Sequence, residues 1–156
     1  DGPRLAVLTV PRSYAWLLKL HATNHVFVTA SRGEGFCLPA LEAVAAGNYV
    51  IGGAGPALDD LARLAPSAVV ALPRVEVPIT PMPEYRGYEL DQTWWDTSLE
   101  DLAAELKAVY AFIRDEGMPR PEDTAAVREA YSPTAVGKLI EMRLEHAIGV
   151  VESSGW

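Results

Sequence analysis

Residues 31–47, S-R-G-E-G-F-C-L-P-A-L-E-A-V-A-A-G, decide the fold because they join a glycine-rich turn to the start of a helix. Residues 26–30 before them are apolar and largely β-branched, as in a buried strand. Pro39 is tolerated in a first helical turn, so the helix is predicted to begin within a residue or two of Leu38. Open α/β sheets build their ligand sites from this order of strand, turn and helix. The sequence therefore predicts an α/β fold, with an open parallel sheet, flanking helices and a site at this turn.

The turn and the helix start are suited to binding an anion. Gly33 and Gly35 can adopt backbone angles closed to other residues and let a ligand lie against the main chain. The first N–H groups of a helix have no partner within it, and the positive end of its dipole lies beside them. We therefore expect the backbone of Gly35, Phe36, Cys37 and Leu38 to hold an anion such as a diphosphate.

Two glutamates flank this predicted anion site. Glu42 lies about one turn into the helix, where its carboxylate can accept hydrogen bonds from sugar hydroxyls at roughly 1.5–3 kcal/mol each. Glu34 lies on the turn and is expected to project toward the reacting end of the ligand. A single glutamate near a helix start is usually a solvated residue that complements the dipole, so only the whole string favours a binding site. For Arg32, a surface position is favoured over a phosphate contact.

Glu34 and Glu42, with seven residues between them, resemble the E-x7-E signature of glycosyltransferase family 4 and related retaining glycosyltransferases of the GT-B fold. The segments E-G-F, L-P, L-E-A and A-x-G, with Val50-Ile51 after them, also fall where that family has them. The sequence departs from the family pattern at two places. Cys37 stands where glycine is usual, and Asn48-Tyr49 stands where a small residue and then proline are usual.

The resemblance implies a Rossmann-like donor-binding domain, the C-terminal domain of a GT-B glycosyltransferase of the hexosyltransferase type. It would bind a nucleotide-diphosphate sugar and pass the sugar to a hydroxyl acceptor. Glu34 would approach the transferred sugar as the catalytic residue, Glu42 would bind the ribose, and amides from Gly35 to Leu38 would hold the diphosphate. The family commonly needs no metal here and the sequence has no Asp-x-Asp pair, so no metal and no other cofactor is expected.

The resemblance further implies that residues 1–156 form a single nucleotide-sugar-binding domain, truncated at its N-terminus. Residues 5–10 are predicted as a strand and residues 14–22 as a helix, which would correspond to the middle of the C-terminal domain. The acceptor-binding domain would then lie outside the chain, together with a basic pair that neutralises the diphosphate. Activity is therefore expected of a full-length protein rather than of the isolated chain.

The sequence after the motif predicts further strands and helices. Residues 49–53 and 68–72 are predicted as strands and 56–65 as a short helix, and Gly47 is expected to end the motif helix. Residues 73–97 are expected to form a proline- and aromatic-rich loop, because four prolines in residues 73–83 cannot sustain a helix or an inner strand. The aromatic residues of this segment are expected to pack it onto its own domain rather than to stack on a sugar; they are Tyr85, Tyr88, Trp94 and Trp95.

Three helices are predicted in the last third of the chain. A capping-box pattern at residues 97–101 begins a long helix, residues 121–131 form a shorter one, and Ser132-Pro133 caps the last. In GT-B enzymes the final helices run back across the domain junction. The long helix is predicted to have one apolar face, formed by Leu99, Leu102, Ala103, Leu106, Val109, Tyr110 and Ile113.

Composition excludes several classes of function. The net charge of −8 disfavours a nucleic-acid partner, because phosphate backbones are bound mainly through clustered Lys and Arg. Apolar runs are far shorter than the ~20 residues of a spanning helix, and a single cysteine suits a reducing compartment, so a cytoplasmic location is expected. The three histidines have neither metal-ligand nor catalytic-triad spacing.

Two other functions remain open from the sequence. The chain could be a non-catalytic nucleotide-sugar-binding module or a structural fragment of a larger assembly, which an upstream Rossmann-like half in the parent gene would argue against. It could also be a GT-B relative of different chemistry, such as a nucleotide-sugar epimerase. The L-P and L-E-A segments favour the transferases.

Overall fold

A strand buried along its whole length organises the structure, a computed structural model that describes residues 5–79 and 92–153. This strand, β2 (Tyr49–Gly53), pairs in parallel with β1 (Val26–Thr29) on one side and β3 (Val69–Leu72) on the other. The register places Val28 opposite Ile51, and Ile51 opposite Val70. The predicted α/β fold with a parallel sheet and flanking helices is confirmed at this level.

Helices connect and cover the three strands. A 3-10 turn over Pro121–Thr124 leads into the fifth helix, and both lie in the segment predicted as one short helix. None of the helices in residues 5–79 and 92–153 is long and apolar enough to cross a membrane. The helices are α1 (Tyr14–Thr23), α2 (Leu38–Ala45), α3 (Pro56–Leu64), α4 (Leu99–Glu116), α5 (Ala125–Ala130) and α6 (Pro133–Ser153).

The sheet is packed on both faces because successive side chains of β2 point in opposite directions. Val50 faces a cluster built from α2, α3 and α5, which includes Val44, Leu61 and Val127. Tyr49 and Ile51 face the other way, toward a smaller cluster that α4 closes with Val109, Leu102 and Ile113. Burial on both faces explains why residues 49–51 read as a continuous apolar run rather than as an alternating one.

The predicted strand at residues 5–10 is wrong. These residues have no strand conformation, and their apolar side chains are exposed, with Leu5 at 89% and Val7 at 73%. A β-branched run favours a strand only when the strand has a neighbour to pair with and a surface to cover. The three-stranded sheet ends at β1, and residues 5–10 do not extend it.

The loop predicted for residues 73–97 is also corrected. Both of its ends are strands, β4 (Arg74–Pro78) and β5 (Thr93–Thr97), which pair antiparallel with Arg74 opposite Thr97 and Pro78 opposite Thr93. Pro78 ends β4, a position where a two-stranded sheet tolerates proline. Tyr85 and Tyr88 lie outside the described residues.

The long helix α4 has a narrower buried face than predicted. Val109 is buried, and Leu102 and Ile113 pack beside it, whereas Leu99 is 73% and Tyr110 is 70% exposed. A sheet of three strands covers only one stripe of the helix, so apolar side chains to either side of that stripe remain on the surface. The helix α6 also leaves apolar side chains on the surface along its length. Four of them are about half exposed or more: Leu139, Ile140, Leu144 and Ile148.

We predict that Gly52→Ala destabilises the protein because β1 and β2 approach closely there. A Cβ at Gly52 would lie 2.6 Å from Thr29 Cγ2 and 2.9 Å from the Thr29 carbonyl oxygen, and that backbone atom cannot move freely. We expect the free energy of unfolding in urea to fall by about 1–3 kcal/mol.

Gly137→Ala is the matched control for this substitution. Gly137 lies within α6 with no atom within 4 Å of an added Cβ, so alanine should raise the free energy of unfolding by about 0.5–1 kcal/mol. Equal stability of Gly52→Ala and the wild type would contradict the strand packing described above.

Candidate functional site

The carboxyl ends of β1, β2 and β3 lie together and form one edge of the sheet, perpendicular to the strands. The loop of residues 30–37 lies at this carboxyl edge. The loop joins β1 to α2, and its turn is held by Ser31, whose hydroxyl donates to the carbonyl of Gly33 at 3.1 Å. The strand β4 begins at the same edge, one residue after β3 ends. Crevices outside the carboxyl ends of parallel strands are the usual ligand sites of open α/β sheets, so this edge is the candidate functional site.

Helix α2 begins as predicted, with its first amides directed at this edge. The amides of Ala40 and Leu41 both donate to the carbonyl of Cys37, at 3.0 and 3.2 Å, and Pro39 has no N–H. Within residues 5–79 and 92–153, the N–H of Leu38 has no backbone acceptor. Such free donors, with the positive end of the helix dipole, form an anion-binding site.

Cys37 sets the direction in which the helix starts. Its φ of 53° lies in the left-handed region, where a residue with a Cβ is uncommon, and its side chain is buried in the larger core cluster. Burial raises the pKa of the Cys37 thiol, and the negative charge of Glu34 adds to this effect. Cys37 therefore contributes its backbone to the edge and a neutral side chain to the core.

The surface of the loop is open above the glycines. A Cβ added at Gly33 or Gly35 would meet no atom within 4 Å, and the side chains of Phe36 and Leu38 are 46% and 58% exposed. Phe36 packs edge-on against Tyr131, with the ring centroids 5.4 Å apart. A ligand can therefore reach the main chain of residues 33–38 from solvent.

Glu34 and Glu42 lie on different sides of the α2 start. Glu34 is exposed on the loop and lines a small pocket with Cys37, Gly53 and Arg74. The pocket volume is about 20 Å³, room for about one water molecule. A larger ligand would have to lie across the open loop and reach this pocket with one group only.

Glu42 faces helix α1. Its carboxylate lies 3.9 Å from His21 Nε2, and its side chain is about one-quarter exposed. Its negative charge, with a hydrogen bond from the phenol, raises the pKa of Tyr14 on the same helix. Glu42 is therefore already positioned by its neighbours, with part of the carboxylate open to solvent.

Two arginines approach the edge from the β4–β5 side, and they differ in their partners. Arg32 donates to Asp96 on β5 at 2.8 Å, and this hydrogen bond holds the pKa of that carboxyl below its usual value. The Arg32 guanidinium also lies 5.6 Å from the centroid of the Trp94 ring. Arg32 thus fastens β5 to the loop, in agreement with the surface position expected for it.

Arg74 was missed by the sequence interpretation, which placed it in a loop. Because β4 continues directly from β3, Arg74 lies at the functional edge, and its Nη2 donates to the carbonyl of Ser31 at 3.3 Å. Its side chain lies against β2, since a Cβ at Gly53 would collide with Arg74 Nε. The sequence did not predict the strand β4, which places Arg74 at this edge and pairs with β5.

A second cavity, of about 390 Å³, lies at the opposite edge of the sheet. Two of its polar side chains bond within the fold: Asn48 Nδ2 donates to the carbonyl of His21 at 3.0 Å, and Arg128 donates to the carbonyl of Ala45 at 3.4 Å. The buried Oδ1 of Asn48 has no hydrogen-bond partner among the described residues. Asn48, one of the departures from the family pattern, therefore ties the end of α1 to the turn before β2.

Comparison of the chain with models of known protein families, with characterised proteins and with solved structures found no match. Within residues 5–79 and 92–153, no group of three or more His, Cys, Asp or Glu side chains could hold a metal ion.

We predict that Glu42→Gln lowers the pKa of Tyr14 toward its usual value, because the negative charge that disfavours the phenolate is removed. The pKa is measured from the ¹³Cζ shift of the tyrosine during a pH titration by NMR. Glu34→Gln is the control and should leave the Tyr14 pKa unchanged. The same Tyr14 pKa in wild type and Glu42→Gln would show that this carboxylate does not face α1.

Proposed function

We propose that this chain is the donor-binding domain of a retaining glycosyltransferase of the family 4 type, with the GT-B fold, that acts in the cytoplasm. It binds a nucleotide-diphosphate sugar for transfer to a hydroxyl acceptor, and an N-terminal domain of the full-length enzyme supplies the acceptor site. The observation that carries the proposal is the α2 start, where the N–H of Leu38 has no backbone acceptor among the described residues, Glu34 lies on the loop before the helix, and Glu42 lies one turn into it.

The backbone at Cys37 gives independent support to the resemblance. The family usually has glycine at this position, and here the φ of Cys37 is 53°, a conformation that glycine adopts without strain. A structural requirement of the turn therefore accounts for the glycine of the family pattern. Cys37 meets the same requirement while its thiol fills space in the core.

In this proposal, catalysis is positioning and charge stabilisation. The amides of residues 35–38 hold the diphosphate and stabilise the charge that develops on it as the bond to the sugar breaks. Glu34 orients the sugar from the side of the small pocket, and Glu42 binds the ribose hydroxyls from the side of α1. No metal takes part.

Calorimetry of the chain against UDP-, GDP- and ADP-sugars tests the proposal. We expect one nucleotide class to bind weakly, because the basic pair of the family is expected to lie outside this chain. Glu42→Ala should weaken that binding by roughly 10-fold to 100-fold, the effect of losing one charge-assisted hydrogen bond. Glu145→Ala, which removes an exposed carboxylate from α6, should bind as the wild type does.

A nucleotide without ribose hydroxyls distinguishes hydroxyl binding by Glu42 from a general effect of the Glu42→Ala substitution on affinity. The 2′,3′-dideoxy form of the bound nucleotide should bind equally to the wild type and to Glu42→Ala, since it has no hydroxyls for the carboxylate to accept from. Equal binding of the normal nucleotide by both proteins would contradict the ribose role. Absence of binding to all three nucleotide classes would contradict the donor-domain proposal itself.

A further inference from the structure

We propose that Arg74 is a phosphate-binding residue of this site and supplies the positive charge that holds the diphosphate of a nucleoside diphosphate against the α2 amides. The inference rests on the proposed function and adds to it a residue outside the E-x7-E motif. Arg74 lines the same pocket as Glu34 and Cys37, next to the start of α2.

No ion pair within the described residues neutralises the positive charge of Arg74, whereas Arg32 at the same edge is paired with Asp96. The hydrogen bond from the Arg74 Nη2 to the carbonyl of Ser31 is long, at 3.3 Å. Its Nε has no partner but is buried beside Gly53, so the donors for an anion are the N–H groups of Nη1 and Nη2. A guanidinium with unused donors binds phosphate well, because it presents several N–H groups in a planar fork.

The fold holds the Arg74 guanidinium in place. The side chain lies against Gly53 at the end of β2 and against Gly55 just after it, where an added Cβ would collide with Nε and would lie 3.2 Å from Nη1, respectively. Gly53 is buried within β2, so its lack of a side chain makes room for the arginine. A charge held beside free backbone donors loses little conformational freedom when an anion binds.

The net charge of the whole chain opposes the binding of an anion. A net charge of −8 repels a diphosphate, so binding requires a local excess of positive charge. The α2 dipole supplies roughly half an elementary charge. Arg74 adds a full positive charge in the pocket, where it offsets the charge of Glu34, whereas Arg32 is paired with Asp96.

Calorimetry with ADP, UDP and GDP, each beside its nucleoside, tests this inference in the 156-residue chain. Arg74→Gln should weaken binding of the preferred nucleoside diphosphate by about 10-fold to 100-fold. Binding of the nucleoside, which has no phosphate, should not change. Arg143→Gln, the same charge loss on the exposed surface of α6, should bind the diphosphate as the wild type does.

Arg74→Lys is a second variant that keeps the positive charge and can be used if Arg74→Gln does not fold. Thermal unfolding of both variants shows which of them are folded. Affinity for the diphosphate between that of the wild type and that of Arg74→Gln supports the inference. If Arg74→Gln does not fold, a weaker affinity of folded Arg74→Lys than of the wild type supports it. Wild-type affinity in Arg74→Lys together with weaker binding in Arg74→Gln also supports it, because lysine keeps the charge. Wild-type affinity in folded Arg74→Gln, or in Arg74→Lys where Arg74→Gln does not fold, overturns the inference and leaves the proposed function intact. A wild type that binds none of the three nucleotides overturns both.

Discussion

Parallel pairing of β1, β2 and β3 is the constraint on which the rest of the structure depends. It brings the carboxyl ends of three strands to one edge, so the loop before α2, the glycines that end β2 and the first residue of β4 all lie there. Burial of β2 on both faces fixes the register, because a slip by one residue would exchange the side chains that face α2 and α4. The core thus determines which backbone groups face solvent at the site.

The local part of this arrangement was predictable from sequence. Gly33, Pro39 and the apolar run before them specify a strand, a turn and a helix through short-range preferences, and the helix begins at Leu38 as expected. The strand at Val69–Leu72 was also predictable, because an apolar run between turn residues favours a buried strand.

The missed features depend on long-range pairing. Residues 5–10 have the composition of a strand but do not pair with the sheet. Arg74 lies at the site because β4 continues directly from β3 and pairs with β5, where Arg74 is opposite Thr97. The four prolines of residues 73–83 led to the prediction of a loop where β4 and β5 form. The sequence does not show that Arg32 pairs with Asp96, or that Arg74 takes part in no ion pair among the described residues, because strand pairing over a long range brings these side chains to the site.

Amide chemical shifts measured by NMR during titration with inorganic pyrophosphate test the central claim most directly. If the α2 start is an anion site, the ¹H–¹⁵N resonances of Gly33, Gly35, Phe36 and Leu38 should shift with one common dissociation constant, which rises with salt concentration. The amides of His25, Gly47 and Asn48, at the opposite edge of the sheet, should not move. Shifts confined to that opposite edge, or none at residues 33–38, would contradict the account.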